Sequence, residues 1–391
     1  MPLDPLSLYI HIPFCKHKCI YCDFYSLPTV SLGKNYSTLR SQYLDALKTE
    51  LLSYKKNLLI GREIKSIYLG GGTPSILETD EIKFILDSVR DICCVSSSAE
   101  VTIETNPGTA DIEKLHGWLK TGVNRISIGI QSFNDDDLNF LSRIHNSDEA
   151  SEIVTKAADA GFQNISIDLI FNLPGQSRDK WLSNLTKAAD LPVHHISAYS
   201  LIVEENTELY RMVENNLVSI AGSEVDSDLY LETIRFLSKH DFVQYEVSNF
   251  AKKGFECVHN NSYWNYSDYL GLGCSSHSFI NRCRSWNFRD IHNYLHAVKD
   301  TGKGTEGSEL LTNAQQIEEY IMLRLRSGIL DFSELINIFG VDIRSSLGNL
   351  VADFQKIGLI QPGNNRFTLT PKGFSLADEI VSRILAVIDL T

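Results

Sequence analysis

Residues 9–22 read Tyr9-Ile-His-Ile-Pro-Phe-Cys15-Lys-His-Lys-Cys19-Ile-Tyr-Cys22, an apolar run closed by proline and followed by three thiols in C-x3-C-x2-C spacing. The β-branched and aromatic residues predict a strand over Leu8–Pro13, and Lys16, His17 and Lys18 make the loop after it polar and accessible. Thiolates are the ligands that iron clusters need. Three of them serve three irons of a [4Fe–4S] cube and leave one iron without a protein donor. A zinc site completed by His11 or His17 is the weaker reading, because structural zinc wants four ligands and usually C-x2-C pairs. Core cysteines at chance spacing are a third.

The pattern of the opening strand recurs downstream. Strands are predicted at Ser66–Gly71, Glu100–Asn106, Arg125–Gln131, Asn164–Phe171 and His195–Ile202, and helices at Ser41–Lys56, Asp80–Val89, Asp111–Thr121, Asp148–Ala160 and Arg178–Ala189. Six βα units over residues 1–240 give an α/β fold class, a partial (β/α)6 barrel, with an open doubly wound sheet as the competing topology. Position favours the barrel, since each polar motif falls at the C-terminal end of a predicted strand.

Residues 241–306 loosen into aromatic and Asn-rich sequence and are expected to form a cap beside the barrel, ending in the Gly-rich linker Thr301–Gly307. Residues 307–391 are expected to form a helical, winged-helix-like domain: Asn313–Arg326, Phe332–Phe339, Ser345–Ile357, a short strand Arg366–Thr370 and a last helix. Such a domain ordinarily suggests DNA. The charge balance argues for a docking role instead.

That balance is 36 Lys and Arg against 49 Asp and Glu, a formal charge of −13 over 391 residues. Neutralising phosphates takes clustered cations, so nucleic acid is excluded as the main partner. No apolar run approaches the roughly 20 residues of a membrane span, and the N-terminus lacks a signal pattern, so a cytoplasmic protein is expected. Eight cysteines in such a chain suit metal binding better than a disulfide framework. Cys93 and Cys94 are adjacent, their side chains would diverge, and both are read as structural.

Further pocket pieces follow the later strands. Gly70-Gly71-Gly72-Thr73-Pro74 closes the second, with glycines that let backbone approach a ligand closely. Glu104 ends the third in ETNPG, Gln131 the fourth in GIQSF, and Asp168 lies on the fifth in SIDLIFNLPGQ. Carboxylates there suit ribose hydroxyls and an ammonium group.

The cysteine loop together with these pieces resembles the radical SAM superfamily, in which such a loop holds a [4Fe–4S] cluster whose open iron takes S-adenosylmethionine (SAM). The resemblance implies cluster ligation by Cys15, Cys19 and Cys22. It implies SAM contacts from Tyr9, Tyr21, Gly71, Gly72, Thr73, Glu104, Gln131, Arg143 and Asp168, with Ile202 and His277 as looser matches.

YIHIPFC, YCDFYS, GGGTPS, GIQSF, DLIFNLPGQ and HNNSYW together resemble the family of oxygen-independent coproporphyrinogen III oxidases and HemW-type heme chaperones, over nearly the whole chain. The oxidases carry a further cysteine two residues past the third cluster cysteine, where this chain has Phe24, and a longer N-terminal extension. Both departures point to the chaperone branch. In that branch His259-Asn-Asn-Ser-Tyr-Trp264 matches a motif associated with heme. An imidazole can ligate iron, and Tyr263 and Trp264 offer flat apolar faces. The other reading of His259 is a loop histidine at a helix start. No C-x-x-C-H run occurs, so covalent attachment of the cytochrome c type is not expected.

The resemblance therefore implies a protein that binds heme, a cluster and SAM and passes heme to an acceptor hemoprotein, membrane-bound or cytosolic. It also implies an electron donor such as a flavodoxin or ferredoxin, and no residue is assigned a catalytic role. The alternative is the oxidase itself, decarboxylating coproporphyrinogen propionates. A radical SAM enzyme modifying RNA is disfavoured by the acidic balance.

Overall fold

The computed structural model describes residues 4–388, so the outermost ends of the expected 1–240 and 307–391 units lie outside the described residues. Its centre is a run of six parallel strands: β1 Leu6–Ile12, β2 Glu63–Gly71, β3 Cys94–Thr105, β4 Arg125–Gln131, β5 Ile165–Phe171 and β6 His195–Ser200. They neighbour one another in chain order without reversal. A doubly wound sheet requires a reversal of order, so this sequence of neighbours is that of an open barrel.

Alternation along each strand explains the two faces. Leu6, Leu8, Ile10 and Ile12 of β1 are at most 1 % exposed and pack in the main core, as do Ile126, Ile128 and Ile130 of β4 and Ile165, Ile167 and Leu169 of β5. Burying each such side chain stabilises by about 1.5–3 kcal/mol. The intervening Ser7, Tyr9, Ser66, Tyr68, Ser127, Asp168 and Ser197 face the lumen, and a one-residue slip would exchange the two sets. Helix ends follow local chemistry too. Asn146 and Glu149 form a capping box ahead of Ser147–Ala160, which stops at Gly161.

Residues 241–306 extend the sheet, where a cap was expected. Tyr269–Leu272 pairs parallel to β1, with Tyr9 opposite Gly271, and is followed by antiparallel strands His277–Ile280, Cys283–Asn287 and Thr305–Leu310. At the other edge Asn249–Ala251 pairs with β6, and Val243–Gln244 lies outside it. The expected linker is partly strand, because Gly307 lies opposite Trp286 and its missing side chain makes room for that indole.

Helix Val258–Trp264 crosses the N-terminal ends of the barrel strands. Its first amides, at Val258 and His259, donate to Glu100, while Ser262 reaches Ser7 and His259 reaches Ser66.

The C-terminal unit has its own core, including Ile321, Leu325, Leu335, Phe354 and Ile380, beside a three-stranded antiparallel sheet of Ile329–Asp331, Ile360–Gly363 and Arg366–Leu369. Helices Asn313–Arg326 and Phe332–Phe339 stand as expected. The helix expected at Ser345–Ile357 splits into Arg344–Leu347 and Leu350–Lys356, since Gly348 takes φ 45°. Among the described residues no helix is long and apolar enough to cross a membrane.

Candidate functional site

The loop after β1 is anchored before its first thiol. Phe14 is fully buried edge-on to Tyr36 and Tyr43, and the carbonyls of Ile12 and Phe14 accept the amides of Gly72 and Thr73, each at 2.8 Å. Gly72 is required by that approach: a Cβ would sit 2.6 Å from the Phe14 oxygen and 2.8 Å from that of Ile12. Gly71, at φ 110°, gives its amide to Glu104 at 3.1 Å. The amides of Gly71, Gly72 and Thr73 are thus committed to protein acceptors. The glycines serve first to seat the β2 turn against the cysteine loop.

Cys15, Cys19 and Cys22 are free, half-buried, and line one wall of a cavity of about 500 Å³ at the C-terminal ends of the strands. The Cys15 thiol donates to the His17 carbonyl at 2.8 Å and lies 3.1 Å from Thr73 Oγ1. Arg143 Nη1 reaches Cys19 Sγ at 3.5 Å. Burial pushes the Cys22 thiol up to about 11, so at neutral pH it gives up its proton when a metal takes the sulfur.

Among the described residues no three His, Cys, Asp or Glu side chains converge on a single-ion site, whereas one zinc ion draws its donors together at about 2.3 Å from the metal. Three separate thiols on one cavity wall, with a guanidinium beside one of them, fit an iron–sulfur cube better than a lone ion.

The other expected residues fall into two groups. Tyr21, Gly71, Gly72, Thr73, Glu104, Gln131, Arg143 and Asp168 all wall the cavity, as does Ile202. Glu104 accepts from Tyr68 at 2.9 Å, and burial pushes its carboxyl up to about 7. Burial also raises Asp168, which Ser127 approaches at 3.5 Å. Gln131 takes φ 73° at a break in the β4–β5 register, a strained position of the kind that clusters at functional sites.

Tyr9, His277 and His259 are not on that wall. Tyr9 lies deeper, stacked on Tyr68 at 6.2 Å and bonded to His11 at 3.1 Å. His277 belongs to an added edge strand opposite Trp286. His259 is 1 % exposed, with Nδ1 held by Ser66 at 2.9 Å and Nε2 by Tyr263 at 2.8 Å. Burial pushes its pKa down to about 3, which keeps the ring neutral. Neither nitrogen is open to an iron atom in this arrangement; iron ligation by His259 would require breaking one of these bonds.

Sequence reasoning passed over Asn106, Tyr68 and Arg125. Asn106 accepts from Arg143 Nη2 at 2.6 Å and donates to Thr73 Oγ1 at 3.0 Å. Hydrogen bonds therefore run from Cys15 through Thr73, Asn106 and Arg143 to Cys19. Gly129 keeps this path open, since a Cβ there would lie 2.6 Å from Asn106 Oδ1. Arg125 is buried at the base of the cavity, its Nε 4.0 Å from Glu100, and neither Nε nor Nη1 has a hydrogen-bond partner among the described residues. The alternation of β2 and β4 would have pointed Tyr68 and Arg125 inward. The ETNPG strand end held the signal for Asn106.

Comparison with known proteins agrees with this geometry. Residues 9–187 match the family model described as the radical SAM superfamily, and residues 311–376 match the HemN C-terminal domain. The chain is 33 % identical to the heme chaperone HemW of Bacillus subtilis strain 168 over 387 residues, 97 % of this chain and 99 % of that protein. It is 37 % identical to the heme chaperone HemW of Escherichia coli K12 over 281 residues, 71 % of each. The structure of coproporphyrinogen III oxidase (HemN) from Escherichia coli superposes with TM-score 0.85 at 25 % identity, covering 99 % of this chain and 92 % of that one.

Proposed function

This chain belongs to the HemW heme chaperone family within the radical SAM superfamily, and on that footing we propose that it binds heme and hands it to an acceptor hemoprotein. The observation that carries the reading is likeness to a heme chaperone over 97 % of the chain, joined to a three-thiol loop that opens on a cavity. Superfamily membership brings a [4Fe–4S] cluster and SAM.

Cys15, Cys19 and Cys22 are the residues that would hold the cluster, and Tyr21, Gly71, Gly72, Thr73, Glu104, Gln131, Arg143 and Asp168 would surround SAM. When bound, the two supply one-electron chemistry, the difficult part of the task being the cofactor's. The protein's own contribution is positional. Arg143 orients Cys19 and sets positive charge beside the loop, and Glu104 and Asp168 offer acceptors to hydroxyl and ammonium groups.

The acceptor is a hemoprotein, at the membrane or free, and the electron donor a small flavodoxin- or ferredoxin-like protein. Eight free cysteines support work in the reducing cytoplasm. The oxidase reading draws on the likeness to HemN, and Phe24 stands where the oxidases have their additional cysteine.

The test is heme titration of the anaerobic, cluster-loaded protein followed by mixing with apo-hemoproteins. One heme per chain, released to an acceptor, is expected. Incubation with coproporphyrinogen III, SAM and a reductant should yield no protoporphyrinogen, and formation over many turnovers would replace this reading with the oxidase.

A further inference from the structure

The mouth of the cavity carries side chains outside the set assigned above to the cluster and SAM, Ile202 being matched to SAM only loosely. Among the described residues that wall it, His17 is the single histidine. Its ring is exposed, Nε2 lies 3.3 Å from Ser142 Oγ, and Nδ1 has no partner among the described residues. The imidazoles of the lumen differ. His11 bonds Tyr9 and Tyr25, His195 bonds Ser166 and Tyr245, and His259 bonds Ser66 and Tyr263. Each has both nitrogens engaged.

Large apolar side chains stand open around the same mouth. Phe24 is 67 % exposed and Ile202 65 %, and Tyr199, at 41 %, stands near the C-terminal end of β6. Exposed apolar groups lining one cavity mark a surface that something apolar covers. Lys18 supplies an exposed cation on that rim, while the Lys16 ammonium is tied to the Gly108 carbonyl at 2.7 Å. An open imidazole, flat and branched apolar groups, and a free ammonium are the complement of heme: iron that takes a nitrogen donor, an apolar ring, and propionates.

We propose that heme docks across the cavity mouth, with His17 as an axial donor, Phe24 and Ile202 against the macrocycle, and Lys18 toward the propionates. This rests on the heme reading above and gives it a place. Ser142 steadies the ring through one nitrogen and leaves the other for iron, the usual division of labour in a metal-binding histidine. The same hydroxyl accepts the Ile20 amide at 3.1 Å, so the axial donor and the cysteine loop are held by one turn.

The test is heme titration of the full-length, anaerobically reconstituted protein, read by the Soret band and by iron and sulfide content. His17→Ala should weaken heme binding about tenfold and move the Soret band, and added imidazole should restore the band. Because His17 neighbours the thiols, a second variant is needed. Phe24→Ala with Ile202→Ser should weaken binding to a similar degree and leave the band where it is, since the axial donor remains.

A band and affinity unchanged in both variants overturn the placement, as does a band that moves in His259→Ala and not in His17→Ala. A wild-type chain that takes up no heme overturns the chaperone reading, and this placement with it.

Discussion

Arg143 and Asn106 meet in a 2.6 Å hydrogen bond that completes a path from one cysteine of the loop to the next. On one side Arg143 touches Cys19, and on the other Asn106 passes through Thr73 to Cys15. Cys15 and Cys19 are therefore held in place relative to one another by the protein alone, and a site ordered in advance loses less freedom on binding.

Asn106→Ala removes the middle of that path. A hydrogen bond to a charged group is worth about 1.5–3 kcal/mol, and Arg143 would keep the Gly129 carbonyl and Cys19. Iron and sulfide retained after anaerobic reconstitution should fall, and the cluster's lifetime in air should shorten several-fold. Cys19→Ala gives the lower limit, with the broad visible absorption lost. Undiminished absorption in Asn106→Ala would mean that the path is incidental.

Gly72→Ala forces a methyl group against two backbone oxygens, those of Ile12 and Phe14, neither able to swing aside. Overpacking of this sort costs about 1–3 kcal/mol. The β2 turn should move off the cysteine loop, lowering both the denaturant midpoint and cluster uptake. A variant with the wild-type midpoint and a full cluster would show that the turn has more slack than its contacts imply.

Glu104 sets a pH dependence. Burial raises its carboxyl to about 7 in the folded protein, above the roughly 4.3 of an unfolded chain. The folded state then holds a proton that the unfolded state has released, so this group's contribution to stability is fully present below about pH 4.3 and declines as pH rises toward 7. SAM, carrying positive charge, should bind more tightly as pH rises from 6 to 8 and the carboxylate forms. Glu104→Gln should weaken SAM and flatten that profile; isothermal titration at several pH values measures it. An unaltered slope in the variant would assign the dependence to another group.

His259→Ala takes away two buried hydrogen bonds and leaves Ser66 and Tyr263 facing a void. The expected loss is about 2–4 kcal/mol, seen by chemical denaturation. The Soret band of bound heme should keep its position. A stable variant with a displaced band would return the residue to the heme.

The strand Arg125–Gln131 and the helices Asn313–Arg326 and Phe332–Phe339 could be read to the residue, because apolar spacing and local end signals decide them. Tyr269–Leu272 could not. It is four residues long, and its place beside β1 comes from pairing with residues more than 250 positions earlier. The same contrast runs through the site. Cys15 and Cys19 announce themselves by spacing and Glu104 by its position at a strand end, whereas Arg143 comes only from the family resemblance. Asn106 shares the ETNPG strand end with Glu104, but nothing local names Arg143, 37 residues on, as its partner. With His259 the difficulty was of another kind, since its motif is legible and its surroundings are not: the partners that occupy its ring are Ser66, far off in sequence, and Tyr263, one helical turn on.

The helix Val258–Trp264 stoppers the lumen at the end away from the cysteines, through Glu100, Ser7 and Ser66. Among the described residues, the cavity that the cysteine loop lines is therefore closed off at its far end by this helix. If heme docks at the mouth as proposed, it would be able to leave while a molecule bound deeper in the cavity stays behind.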